Sequence, residues 1–284
     1  MAGRPYTLLD VFTDTPLEGN ALAVVHDADD LDDETMHRFA RETRLSETTF
    51  VQAATEPGAD YRNRIWMMDG EVPFAGHPSL GTAVAIARAR GEQDVRYVQQ
   101  TGAGLQPVDV QLSGERAFAS MLQEPAVFGA TLDAEEMLAA VRLDPRAAQS
   151  ELPALVVGTG VPQLLVPVRE RESLARASPD HAAIGPLLLR HGAIVLYLFH
   201  ATPGEEDVRA RSFTGSAEAG EDPGTGSAAG PLCAYLARHG GVERIQILQG
   251  VEMGRPSRLL AELHGQRVRV GGDVVCVVDG RLAI

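Results

Sequence analysis

Residues Glu221–Gly240 read EDPGTGSAAGPLCAYLARHG. An acidic pair leads into a turn built from Gly224, Gly226 and Gly230, and apolar residues follow at helical spacing: Leu232, Tyr235 and Leu236. A glycine-rich turn that opens a helix leaves N–H groups without intrahelical partners at the positive end of the helix dipole. Such a turn is an anion seat, here with the Ser227 hydroxyl and the Asp222 carboxylate at its rim. Alone, the stretch could equally be an ordinary helix start with glycines for the bend.

It is not alone. Residues 75–91 read AGHPSLGTAVAIARARG, and an offset of 150 places Gly76 on Gly226, Ala87 on Ala237, Arg88 on Arg238 and Gly91 on Gly241. His77 falls on Ser227. Both stretches run from a glycine-rich turn through an apolar helix to Ala-Arg and a stopping glycine. An offset of half the chain predicts two similar halves, each with a helix N-terminus that would hold one side of a small acid.

The composition narrows the class. At 284 residues the chain has room for one large domain or two ordinary ones, and 44% apolar content supplies a full core. A net charge of −14 argues against nucleic acid or an acidic membrane as partner. No apolar run reaches the ~18 residues of a membrane span. The opening MAGRPYTLLD lacks the features of a signal peptide, so the expected location is cytoplasmic. All 25 basic residues are arginine, which excludes any lysine Schiff base, a pyridoxal phosphate aldimine included, and the P-loop. Cys233 and Cys276 are too few for a disulfide framework or a zinc site and read as core residues rather than nucleophiles.

Along the chain, residues 6–12 and 21–25 read as a hairpin about DTPLEGN. A helix over Asp32–Thr43 follows, its acids in the first turn a favourable dipole interaction rather than a metal site, with Met36, Phe39 and Ala40 on one face. LSETTFV (45–51) reads as a strand with Glu47 in phase with Leu45, Thr49 and Val51. Two readings of Glu47 stay open here: a solvated edge position, or a buried carboxyl whose desolvation suits it to carry a proton. Strands are predicted at 61–67, 95–99, 107–112, 116–122, 154–157, 163–168, 193–199, 207–213, 244–249, 257–263, 266–270 and 273–278. Helices are predicted up to Ala89 and near 133–141. The class is α+β with two sheets, each wrapping a helix, divided near 115–130.

Five motifs in order, PLEGNALAVV, ARETRLSETTFV, PFAGHPSLGTA, EDPGTGSAAGPLCAYLARHG and ILQGVEMGRPS, resemble the PhzF (phenazine biosynthesis) family of isomerases over nearly the whole chain. The resemblance implies a diaminopimelate-epimerase-like fold: two pseudo-symmetric halves, each a barrel-like mixed sheet around a central helix, with the active site in the cleft. The last strand would return to the first half, giving halves at 1–118 with 278–284 and at 119–277. It also implies a homodimer without metal or organic cofactor. The two cysteines lie away from the glycine turns, so the two-thiol chemistry of the diaminopimelate epimerases is not expected.

By the same resemblance Glu47 of SET is the proton carrier, His77 of GHP and Asp222 of EDP complete the catalytic group, and Ser46, Gly76, Thr225, Gly226 and Ser227 bind substrate. The N–H groups of Gly76, Thr225, Gly226 and Ser227 would cradle a carboxylate. For Asp222 a helix cap or Asx turn, and for Ser227 a helix cap, are the structural alternatives. Trp66-Met67-Met68-Asp69-Gly70-Glu71 and Phe213-Thr214-Gly215 depart from the family pattern. The expected function is isomerisation of a small cyclic unsaturated amino acid, trans-2,3-dihydro-3-hydroxyanthranilate first. The alternatives are another secondary-metabolite intermediate, such as a pyrroline carboxylate, or a non-catalytic protein that binds a small acid.

Overall fold

The computed structural model describes residues 3–284. The chain divides into two compact units, one taking the residues up to Leu122 with Gly271–Ile284, the other Gln123–Val270. The expected divisions were 118/119 and 277/278. The return falls earlier because the two strands predicted at 266–270 and 273–278 are one, β17 (Arg267–Leu282). Gly271 and Gly272 read as a break, yet a Cβ at Gly271 would stand 2.6 Å from the Ala119 carbonyl oxygen. The glycine serves close approach to β8 (Arg116–Leu122), not a turn.

In the first unit, β1 (Arg4–Val11) and β2 (Asn20–Val25) form the expected antiparallel hairpin. Helix α1 (Asp33–Thr43) is capped by Asp32, whose carboxylate accepts the Thr35 N–H at 2.8 Å. Then come β3 (Glu47–Gln52), β4 (Tyr61–Met67), β5 (Gly70–Val72), helix α2 (Gly76–Arg90), β6 (Asp94–Thr101), β7 (Gly104–Ser113) and β8. The pairings run β1–β2–β3–β4–β6–β7–β8–β17 and back to β1, closing a barrel. Two joints are parallel, β2 with β3 and β4 with β6, and α1 and α2 make those crossovers. Helix α2 is buried from Gly76 to Ala87, as an all-round apolar helix must be, and packs on β1–β4 and β6–β8.

The second unit repeats the plan. Strands β9 (Val127–Leu132), β10 (Ala154–Gly158), β11 (Pro162–Pro167), β12 (Val195–Ala201), β13 (Asp207–Thr214), β15 (Arg244–Gln249) and β16 (Ser257–His264) pair in that order. The two-residue β14 (Glu221–Asp222) lies on β13. Parallel joints recur at β11/β12 and β13/β15. Helix α6 (Gly226–His239) crosses the second and packs on β10, β11, β15 and β16.

Helices α3 (Glu135–Ala140), α4 (Arg171–Arg176) and α5 (His181–His191) cover the sheet. Leu138, Leu174, Ile184 and Leu188 meet Leu164, Leu196, Leu198 and Phe213 there. Strand β9 and helices α4 and α5 went unread in the sequence. Gly185 and Pro186 disguise α5, although a Cβ at Gly185 would crowd the Gly215 carbonyl oxygen at 3.1 Å. No helix among the described residues is long and apolar enough to cross a membrane.

Candidate active site

In the first unit the site begins where α1 ends. Arg44 turns the chain in a left-handed conformation (φ 53°), so β3 opens at Glu47 rather than at residue 45, and Ser46 stays exposed in the bend before it. Strand β3 runs between β2 and β4, with Leu22 opposite Glu47, so it is an interior strand and the solvated-edge reading falls away. The Glu47 side chain keeps 14% of its surface. His77, the second residue of α2, is buried and sets its Nε2 3.5 Å from Glu47 Oε2.

Asn20, the first residue of β2, places Nδ2 3.2 Å from His77 Nδ1. An amide nitrogen only donates, so His77 Nδ1 accepts and its proton sits on Nε2, toward Glu47. Burial pushes the imidazole down to about 3, which makes it neutral at physiological pH. The contact is therefore a neutral N–H facing a carboxylate, not an ion pair. At 3.5 Å the two atoms face each other without a formed hydrogen bond, and both are buried.

In the second unit, α6 opens at Gly226 with Thr225 as its N-cap residue and no side-chain cap bond. Neither Asp222 nor Ser227 is the cap. Instead the Thr225 hydroxyl donates to Asp222 Oδ2 at 2.5 Å. Ser227 is half-buried, and Gln163 Nε2 approaches its Oγ at 3.3 Å.

Two expectations fail here. Gly230 is no part of the turn but lies inside α6, where a Cβ would stand 1.9 Å from Gln123 Oε1. The Thr225 N–H cannot cradle a ligand, because it already donates to Gln249 Oε1 at 3.2 Å. The N–H groups of Gly226 and Ser227, like those of Gly76 and His77 in α2, meet no acceptor among the described residues.

The offset of 150 extends through the hairpins in front of both helices. EVPFAGH (71–77) matches EDPGTGS (221–227), so Glu71 answers to Glu221, Val72 to Asp222 and His77 to Ser227. Arg64 grips Glu71 through Nε to Oε1 and a second nitrogen to Oε2 at 2.7 Å; Arg211 grips Glu221 in the same way at 2.8 and 2.7 Å. Each arginine also ties its hairpin to a covering helix. Arg64 reaches Asp33 at the start of α1, and Arg211 donates to the Leu174 and Ala177 carbonyls at the end of α4. Gln99 in β6 answers to Gln249 in β15, and both are fully buried. The strand register matches Glu47, one residue before Thr48 opposite Trp66, to Val195, one residue before Leu196 opposite Phe213.

Sequence reasoning missed Asn20 and Gln249 as parts of these sites, and Gln99 as the matching structural brace behind α2. Asn20 lay in the PLEGNALAVV motif and Gln249 in ILQGVEMGRPS, and the offset linking the glutamines was there to find. Cys233 is buried and its thiol is pushed up to about 12, mainly by desolvation; Cys276, half-buried on β17, is pushed up to about 11. Neither is a thiolate at neutral pH.

A family model described as "Phenazine biosynthesis-like protein" matches residues 9–280. The chain is 37% identical, over 97% of its length and 98% of the relative's, to the trans-2,3-dihydro-3-hydroxyanthranilate isomerase of Pseudomonas aeruginosa. Among solved structures it resembles a predicted epimerase from Pseudomonas aeruginosa, with a TM-score of 0.87 and 35% identity over 99% of each chain. It also resembles a PhzF-family phenazine biosynthesis protein from Bacillus anthracis, with a TM-score of 0.85 and 27% identity over 100% of each.

Proposed function

The chain belongs to the PhzC-PhzF, phenazine biosynthesis-like family of isomerases, and from that premise we propose that its reaction is the one named for its Pseudomonas aeruginosa relative, the isomerisation of trans-2,3-dihydro-3-hydroxyanthranilate. Its fold is the diaminopimelate-epimerase-like one. The observation that carries the proposal is Glu47, a largely buried carboxylate on an interior strand, faced at 3.5 Å by a neutral, buried imidazole.

Glu47 takes the proton from C3 of the ring and, as the carboxylic acid so formed, delivers a proton to C1, ending ionised as it began. His77 Nε2–H faces the carboxylate oxygen that does not carry the proton. Asp222 is assigned to the substrate's amine or hydroxyl on the family resemblance, and open N–H groups at a helix start bind its carboxylate. This chemistry needs no cofactor. General acid–base catalysis by one group supplies about 10²–10⁴-fold, so the remainder comes from orientation and water exclusion.

The alternative of a different pathway intermediate drew on the departure at Trp66–Glu71. Within it, the side chains of Trp66 and Glu71 serve the scaffold, Trp66 packing with Val25, Met36 and Phe50 and Glu71 gripped by Arg64. The test is NMR in D₂O with trans-2,3-dihydro-3-hydroxyanthranilate, wild type beside Glu47→Gln. Conversion with deuterium entering the ring, lost in the variant, is expected. A variant that keeps more than half the wild-type rate overturns the role of Glu47, and a wild type that binds the compound without converting it overturns the substrate.

A further inference from the structure

Gln249 is fully buried and makes a bond with every lone pair and proton it presents to its neighbours on the α6 side. Its Oε1 accepts from the Tyr197 hydroxyl at 2.7 Å and from the Thr225 N–H at 3.2 Å. Its Nε2 donates to the Asp222 carbonyl at 2.7 Å and to Thr225 Oγ1 at 3.0 Å. The last of these fixes a direction. A threonine hydroxyl that accepts from an amide has its own proton left to give, and Thr225 gives it to Asp222 Oδ2 at 2.5 Å. Gln249 therefore favours the orientation in which the Thr225 hydroxyl proton faces the Asp222 carboxylate.

The other unit shows what the same position does when no acid is involved. Gln99 accepts from Asn63 Nδ2 at 3.0 Å and donates to Ser79 Oγ at 2.8 Å, and Ser79 passes its proton to the Ala75 carbonyl at 2.7 Å. That chain ends on the backbone at the N-cap of α2, and position 72, which answers to Asp222, is a valine. The glutamine is a brace for a helix start in one unit; in the other the same brace is turned onto a carboxylate.

We infer that Gln249 is a positioning residue that acts through the Thr225 hydroxyl to aim and steady the Asp222 carboxylate, the inference resting on the reading of Asp222 as part of the active site. The experiment compares wild type, Gln249→Leu, Thr225→Val, the double variant and, as control, Gln99→Leu, by the pH dependence of kcat/KM, by melting temperature and by crystal structures of the variants.

Gln249→Leu and Thr225→Val each move the acidic limb of the profile to higher pH, with about tenfold loss of kcat/KM on that side, the scale of one charge-assisted hydrogen bond. The double variant goes no further than the singles, as residues in one relay require. Gln99→Leu lowers the melting temperature and leaves the limb in place. In the crystal structures Asp222 leaves Thr225 in Gln249→Leu while the α6 start keeps its trace.

A limb that stays in place in Gln249→Leu, or shifts that add in the double variant, overturns the inference. If the wild type turns over no substrate, the proposed function fails and the crystal structures still decide: an Asp222 that keeps its Thr225 contact without Gln249 refutes the relay. If Gln249→Leu does not fold, Gln249→Glu keeps the shape and replaces the Nε2 donor by an acceptor; the same loss of the Asp222 contact and the same limb shift are expected, and their absence refutes it.

Discussion

Helices α2 and α6 start on glycines 150 residues apart and are held by the same parts: an arginine gripping a glutamate on the hairpin before the turn, and a buried glutamine on the strand after the helix. What differs is the short set of positions around the turn. The first unit has glutamate, valine and histidine at 47, 72 and 77; the second has valine, aspartate and serine at 195, 222 and 227. The repeated parts solve a problem both starts share, which is to hold a glycine turn in one conformation inside a packed unit. The unrepeated parts answer to no such need. A nearly buried carboxylate beside a buried imidazole adds desolvation cost and little packing, which is what the proposed proton-carrying role of Glu47 would require.

The comparison is broken most directly by writing the second unit's residue into the first. Glu47→Val places the aliphatic side chain of Val195 at the matching position of β3. Turnover should fall by about 10²–10⁴-fold or more, while the melting temperature holds, because valine suits an interior strand and the substitution removes a carboxylate from a nearly buried place. Steady-state kinetics beside a thermal melt decide it. A variant that keeps its turnover would mean that the asymmetry between the units has no catalytic content.

Next in size are the two arginine grips, alike in geometry and unlike in burial. Arg211 and Glu221 keep 8% and 12% of their side-chain surface, whereas Glu71 keeps 36%. Arg211→Met strands a buried carboxylate and takes two donors from the end of α4, so a loss of about 3–5 kcal/mol is expected. Arg64→Met should cost about 1 kcal/mol, since water can replace the lost partner of Glu71. Urea denaturation of both variants measures the pair. Equal losses would show that burial does not separate the two grips.

Much of this was legible in the sequence. The offset of 150 was visible through Gly76/Gly226 and Ala-Arg because glycine at a helix start answers to local backbone need. The alternation of LSETTFV located Glu47 on a strand but not inside a sheet, since edge or interior is decided by the neighbours β2 and β4, which lie elsewhere in the chain. Gly230 was misread as part of the turn because a sequence cannot tell a glycine used for its dihedral freedom from one used for close approach, here of Gln123. Asn20 and Gln249 carry no signature of their own; an amide earns a role only from what folding sets beside it.

That distinction between glycines gives the third test. Gly230 faces an amide that is pinned, since Gln123 Nε2 donates to the Gly226 carbonyl at 2.9 Å and its Oε1 accepts from Thr159 at 2.6 Å. Gly81 in α2 faces only methyl ends, Leu22 Cδ2 at 2.6 Å and Val11 Cγ2 at 2.9 Å. Gly230→Ala should therefore cost about 1–3 kcal/mol by overpacking. Gly81→Ala should cost less, because methyl groups can rotate aside and alanine is the better helix former. Melting temperatures compare them, and a larger loss at Gly81 would contradict the pinned role of Gln123.

The last effect is in pH, and it belongs to one unit only. His77 is held neutral by burial, its value pushed from 6.5 down to about 3. In the unfolded chain it takes up a proton as pH falls through about 6.5, while in the folded protein it does not until about 3. The unfolded state thus binds more protons across that window, so stability is full above it and declines as pH falls, by up to about 1.4 kcal/mol per pH unit from this residue. Ser227, at the matching position of α6, has no charge to gain. Equilibrium unfolding from pH 7 to 4 should show a slope that flattens in His77→Asn by about that amount relative to wild type. An unchanged slope would mean that the imidazole is charged in the folded protein, and with it the neutral donor facing Glu47 would be lost.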